Sequence, residues 1–135
     1  MWILQGRPDR IDMTLELEVG QTIPWLASRY QKSMKIGDTV LMWQSGNAEF
    51  RGIHAIGKIV KEAYKSSEGY TLIDVEIVST LTKPLLATSL KKDDALNNLQ
   101  ILKAPIGTNF KVNQTEGQAI SMMLGGAPND EFGDL

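Results

Sequence analysis

The residues that could carry acid–base or nucleophilic chemistry are few and scattered. The only histidine, His54, lies inside an apolar run, where a histidine more often packs than catalyses. The chain has no cysteine, which excludes disulfides, thiolate zinc ligands and cysteine nucleophiles. It has no phosphate-binding glycine loop and no G-x-S-x-G nucleophile elbow. The adjacent Asp93 and Asp94 follow two lysines, as in a solvated loop. We therefore predict a protein that is not an enzyme and holds no metal and no cofactor.

A tryptophan at position 25 offers a different kind of chemistry, the stacking of a flat ligand. The stretch from Thr22 to about residue 32 or 33 is predicted to be a helix, because Thr22 suits the N-cap and Pro24 is tolerated in a first turn. On such a helix Trp25 falls off the apolar stripe and close to Arg29. It either covers a loop or lines a pocket, with Arg29 available for a phosphate or a base edge.

A second tryptophan, Trp43, ends a predicted strand just before a tight loop of small residues at 45–47. It is either an ordinary core tryptophan or a flat wall beside free backbone N–H groups. Stacking one base on such a ring contributes about 1–3 kcal/mol. We predict that Trp25 and Trp43 present their rings to one shared pocket.

Strands dominate the predicted secondary structure. They are expected at residues 2–5, 39–44, 52–64 and 70–78. Residues 81–104 are predicted to be irregular, with a short helix near 93–99. A last helix is expected to begin near Thr115, with Thr115 and Gln118 spaced as a capping box, and to pack through Ile120, Met123 and Leu124. This succession predicts an α+β fold with a strongly curved sheet or small barrel.

Size and composition are those of one ordinary globular domain. The chain has 135 residues, of which 42% are hydrophobic and 22% charged. A net charge of −2 argues against bulk, salt-driven binding to nucleic acid. No apolar run approaches the roughly 20 residues of a membrane helix, and no basic segment precedes the apolar start as in a signal peptide. We expect a cytoplasmic protein with no membrane association.

Several runs, taken in order, resemble the EVE domain, a member of the PUA-like superfamily. They are the opening strand at 2–5 and the segments 25–30, 34–40, 42–46 and 52–60, which contain G-D, W-x-S-G and G-I-x-A-x-G elements. The resemblance covers residues 1–124, and residues 125–135 are expected to be a flexible C-terminal tail or the start of a linker. The chain departs from the family at 49–51, where the family's loops are often shorter, so one rim of the pocket is expected to differ.

The resemblance implies a PUA-like fold, a small curved sheet or barrel with peripheral helices. It also implies a non-catalytic reader of a nucleobase in DNA or RNA, with methylated or hydroxymethylated cytosine among the bases read. The base would be flipped or single-stranded, and an effector domain or protein could be a further partner. An interaction module for a small molecule or peptide, using the same pocket, is the alternative. The site residues expected from the resemblance and from the residue types are Gln5, Arg7, Trp25, Arg29, Trp43, Ser45 and Gly46.

Overall fold

A six-stranded mixed sheet forms the frame of the protein. The computed structural model describes residues 1–125. The strands are β1 (Trp2–Gly6), β2 (Thr22–Leu26), β3 (Thr39–Gln44), β4 (Gly52–Lys65), β5 (Thr71–Leu86) and β6 (Asn109–Lys111). Their order across the sheet is β2-β5-β4-β3-β1-β6, with β1 parallel to β3 and every other neighbouring pair antiparallel.

Four short helices accompany the sheet in the described part of the chain. They are α1 (Met13–Glu16), α2 (Ala87–Lys91), α3 (Gln100–Lys103) and α4 (Gln114–Met123). No helix in the described part of the chain has the length and hydropathy needed to cross a membrane. The sheet curls into a half-barrel, which confirms the predicted α+β class with a strongly curved sheet.

Two apolar clusters lie on the two faces of the sheet, and strand periodicity sorts the residues between them. Successive side chains of a strand point to opposite faces. In β1 and β3, Leu4 and Met42 enter the first cluster. Ile3, Leu41 and Trp43 enter the second. The first cluster also takes in α1, and the second is covered by α2, α3 and α4.

The prediction of a helix from Thr22 to residue 32 or 33 is wrong, because this segment begins with strand β2. Ile23 and Trp25 are half-buried while Thr22, Pro24 and Leu26 are exposed, a period of two rather than 3.6. Pairing with β5 makes this segment a strand, since the side of β5 away from β4 would otherwise be an unpaired, half-buried edge of the sheet. An edge strand tolerates a proline. The argument that placed Trp25 on the polar face of a helix therefore fails.

The buried side chain of Asn109 ties the two edges of the curled sheet together. From β6 its Oδ1 accepts hydrogen bonds from the backbone N–H groups of Ser28 at 2.7 Å and Arg29 at 3.1 Å, and from the Ser28 hydroxyl at 3.2 Å. Its Nδ2 donates to the Leu26 carbonyl at 2.9 Å. Since Leu26 ends β2, one amide joins the last strand of the sheet to the first.

The C-terminal half follows the prediction in outline and departs from it in detail. Strand β5 continues through Leu86, so the first part of 81–104 is strand, and the short helices flank 93–99 rather than occupy it. Helix α4 is confirmed, but its capping box is Asn113 with Glu116. Of its predicted packing residues Ile120 is fully buried, whereas Met123 is 39% exposed. The tail expected at 125–135 lies, apart from its first residue, outside the described residues.

Candidate ligand-binding site

The candidate site lies where the parallel strands β1 and β3 end side by side. Gly6 and Gln44 are the last residues of these strands and are paired in register. The backbone N–H of Ser45 donates to the Gly6 carbonyl at 2.9 Å, which extends the pairing into the loop. Two loops leave from this point, residues 7–12 after β1 and residues 45–51 after β3. Loops at the carboxyl ends of parallel strands are a common place for ligands.

Gly6 allows the chain to close tightly over the strand end. A Cβ at this position would lie 2.7 Å from Ile11 Cγ2, 2.9 Å from Met13 Cε and 3.1 Å from Trp25 Cη2. A side chain at residue 6 would therefore push aside the segment that leads into α1. The tip of the Trp25 ring is one of the groups that such a side chain would meet.

Gln44 fixes the floor of the site. Its side chain is buried, with Oε1 accepting from the Met13 N–H at 2.8 Å and Nε2 donating to the Gly6 carbonyl at 3.3 Å. Because both ends of the amide are engaged, its orientation is determined by its backbone partners. Gln44 therefore holds α1 against the end of β3.

The two loops touch at Gly46 and Pro8. Gly46 has a φ of +110°, which disfavours any residue with a side chain, and a Cβ there would lie 2.9 Å from Pro8 Cγ. Glycine thus lets the 45–51 loop approach the 7–12 loop as closely as it does.

Phe50 is presented by a firmly held turn. The N–H groups of Phe50 and Arg51 both donate to the Asn47 carbonyl at 2.9 Å, and Asn47 Oδ1 accepts from the Glu49 N–H. The Phe50 carbonyl lies 2.5 Å from Nε2 of the buried His54. Since a carbonyl oxygen only accepts, His54 is the donor. The lone histidine therefore supports the turn that leaves the Phe50 ring 55% exposed.

Together the two loops and α1 line an open cleft of about 510 Å³, within the range of small-molecule sites. Three apolar residues form walls, and five polar residues supply hydrogen-bonding groups. The lining consists of Pro8, Leu15 and Phe50, with Asp12, Thr14, Gln44, Ser45 and Asn47.

Several polar groups of the lining are unused within the described residues. The hydroxyls of Thr14 and Ser45 and the side-chain N–H₂ of Asn47 make no hydrogen bond there. Oδ1 of Asp12 accepts a hydrogen bond from the Thr14 N–H, which leaves Oδ2 available to a ligand. The cleft can thus offer donors and an acceptor to the edge of a planar ligand while Phe50 offers a ring face.

The structure brings three of the predicted site residues to this cleft or its margin. Ser45 lines it, and Gly46 lies in the same loop against Pro8. Arg7 immediately precedes Pro8, but its guanidinium pairs with Asp9 at 3.1 Å and both side chains are exposed. An exposed pair of this kind contributes little to stability, so Arg7 can exchange its partner.

The two predicted tryptophans do not share a pocket. Trp43 is fully buried in the second cluster, whereas Trp25 packs against the first. The pleat of β3 points the Trp43 ring to the face of the second cluster, whereas the Trp25 ring lies on the face of the first. The prediction of one shared aromatic pocket is therefore wrong. Each indole N–H is buried without an acceptor among the described residues. A role for Trp25 in ligand contact stays a prediction.

The side chains of Gln5 and Arg29 lie on the β6 side of β1, away from β3 and beside the loop that leads into β6. Nε2 of Gln5 donates to the carbonyls of Pro105 at 3.2 Å and Gly107 at 2.7 Å. The Arg29 guanidinium donates to the Asn109 carbonyl at 2.6 Å and lies 5.2 Å from the Phe110 ring centroid. These contacts give both side chains a structural role. Any contact with a ligand would be made in addition to that role.

Most of the lining was not predicted from the sequence. Phe50 belongs to the 49–51 segment noted as a departure from the family pattern, and that departure was the available signal. No sequence signal marked the place in the cleft of Pro8, Asp12, Thr14 and Leu15, because the polar stretch before Gly20 shows no periodicity. Their place in the cleft depends on the fold of the 7–12 loop against β3.

Comparison with known proteins assigns the family. The EVE domain family matches residues 1–123. A hypothetical protein from Leishmania major has a similar fold, with a TM-score of 0.73 and 21% identity over 90% of this chain and 92% of that one. A Pseudomonas syringae protein gives a TM-score of 0.75 and 22% identity over 90% of this chain and 97% of that one. A Rhodopseudomonas palustris protein gives a TM-score of 0.78 and 18% identity over 92% of each chain. At these identities the likeness establishes the fold alone. No curated protein matches the sequence. With the match spanning nearly all of the described residues, and with a curled mixed sheet of the PUA-like type, this chain belongs to the EVE domain family.

Proposed function

We propose that this domain is a non-catalytic reader of a nucleobase, modified bases included, held in the cleft at the end of β1 and β3. The observation that carries the proposal is the exposed ring of Phe50 next to unused donors and an acceptor in one concave site. A base needs one flat face to stack on and polar groups along one edge to be identified. We further propose that the domain acts in the cytoplasm.

The bound base would be flipped out of a duplex or already single-stranded. A cleft of this kind surrounds the edge and face of one ring, and a stacked base exposes neither completely. Phe50 would stack on the base, and Ser45, Asn47 and Asp12 would contact its edge. Arg7, which is free to leave Asp9, would contact a flanking phosphate.

Removing the Phe50 ring tests this assignment. We expect Phe50→Ala to weaken binding of the preferred base by about 1–3 kcal/mol, or roughly 5- to 150-fold in affinity, the scale of one stacking contact. The measurement is calorimetric titration with a panel of trinucleotides that carry unmodified, methylated and hydroxymethylated bases at the centre. Phe50 is largely exposed, so the variant should unfold at nearly the wild-type temperature.

Tyr70→Ala is the matched control. Tyr70 is another aromatic residue with similar exposure, 58%, and it lies in the turn before β5, at the far end of the β4–β5 hairpin from the cleft. It should bind every trinucleotide as the wild type does. Equal affinities for Phe50→Ala and the wild type would remove Phe50 from the site.

A small-molecule or peptide module is the second candidate, and the charge of the cleft favours it. Within residues 1–125 the lining contains a carboxylate from Asp12 and no lysine or arginine. A ligand without phosphate would suit this lining directly. Salt separates the two functions, since phosphate contacts make affinity fall as salt rises and a neutral ligand gives a flat dependence.

A further inference from the structure

The loop that leads into β6 carries an unusually exposed apolar side chain. Ile106 is 85% exposed, more than any other large hydrophobic residue in the described part of the chain. The residues on either side of it, Pro105 and Gly107, are held through their carbonyls by the Gln5 amide, at 3.2 and 2.7 Å. The Gln5 N–H also donates to the Thr108 carbonyl at 2.8 Å. Ile106 is thus displayed on a loop whose two sides are fixed to β1.

This loop lies on the same end of the sheet as the cleft. Strand β1 lies between β3 and β6, and adjacent strands are about 4.8 Å apart, so the start of β6 lies roughly 10 Å from the end of β3. Gln5 holds the loop, and the next residue, Gly6, accepts the Ser45 hydrogen bond at the cleft floor. A neighbouring nucleotide of a bound strand would have to cross this distance.

A cation accompanies the apolar tip. A guanidinium nitrogen of Arg29 lies 3.7 Å from the place that a Cβ on Gly107 would occupy. The same guanidinium donates to the Asn109 carbonyl, and no carboxylate of residues 1–125 lies within salt-bridge distance of it, so its positive charge is not neutralised there. An apolar contact next to such a cation suits a base with its phosphate.

We propose that residues 104–108, the Ile106 loop, form a second subsite that contacts the nucleotide next to the base in the cleft. This inference rests on the base-reading function proposed above. Ile106 would pack against the face of the neighbouring base, and Arg29 would contact the phosphate between the two nucleotides. Because the loop is already fixed by Gln5, little conformational entropy would be lost when it binds.

The test compares a nucleoside with a trinucleotide that carries it at the centre, for the base bound most tightly in the panel above. We expect Ile106→Ser to lower the affinity for the trinucleotide roughly five-fold, which is the contribution of burying part of one aliphatic side chain. Nucleoside affinity should stay at the wild-type value, because a nucleoside does not reach the loop.

Ile36→Ser is the control, since Ile36 is also an exposed isoleucine, 63%, but lies in the turn before β3 at the opposite end of the sheet. It should change neither affinity. Unchanged trinucleotide binding by Ile106→Ser would overturn the subsite, as would an equal loss for nucleoside and trinucleotide. Failure of the base-reading function would look different, because the wild type itself would then bind no nucleoside and no trinucleotide of the panel.

Discussion

Replacing Trp43 with alanine is expected to lower the free energy of unfolding by about 3–5 kcal/mol, the range for deleting a large buried aromatic side chain. Trp43 is fully buried among residues of the second cluster, including Ile3, Leu41 and Phe110. Its removal would leave a cavity between the sheet and the helices that cover it. Urea unfolding followed by circular dichroism measures the loss directly.

Trp43→Phe is the informative companion variant. The Trp43 N–H is buried without an acceptor among the described residues, and an unsatisfied buried donor costs about 1–3 kcal/mol. Phenylalanine removes that donor while keeping most of the ring, so we expect its stability to lie within about 1.5 kcal/mol of the wild type. A Trp43→Ala protein as stable as the wild type, with weakened base binding, would instead return Trp43 to the site.

The strands that form continuous apolar runs between turn residues could be predicted from the sequence. Residues 39–44 and the start of the strand at 52 match β3 and β4, because both faces of these strands are buried and the apolar runs end at turn residues. The segment from Thr22 could not be predicted in this way. Its threonine and proline are favourable for a helix start, and only the partner strand β5, which is distant in sequence, makes it a strand.

The candidate site was predictable only where the family pattern reached it. Ser45 and Gly46 belong to the W-x-S-G element, and both lie at the cleft. Trp43 belongs to the same element, but the pleat of β3 turns its ring to the opposite face from Met42 and into the core. The position of Phe50 depends on the turn after Asn47 and on the hydrogen bond from His54, contacts that single residue types do not reveal.

Asn109→Ala is expected to destabilise the domain by about 3 kcal/mol or more, although it removes only a small side chain. The variant removes the four hydrogen bonds of the Asn109 side chain to Leu26, Ser28 and Arg29, each of which contributes about 0.5–1.5 kcal/mol net. Asn98→Ala is the matched control, since Asn98 is exposed and its side chain makes no hydrogen bond among the described residues. Urea unfolding of both variants measures the difference.

Hydrogen exchange shows whether Asn109 acts as the tie between the edges of the sheet or only as one more buried polar group. If it is the tie, the amides of β2 and of residues 27–30 should lose protection in Asn109→Ala well before those of β3 and β4. The β2 amides are held on one side by β5, and the Asn109 amide is what joins the end of that strand to β6. Uniform loss of protection across all six strands would mean that the amide stabilises the fold as a whole. Wild-type stability in Asn109→Ala would mean that the curled sheet stays closed without it, and the proposed tie would be wrong.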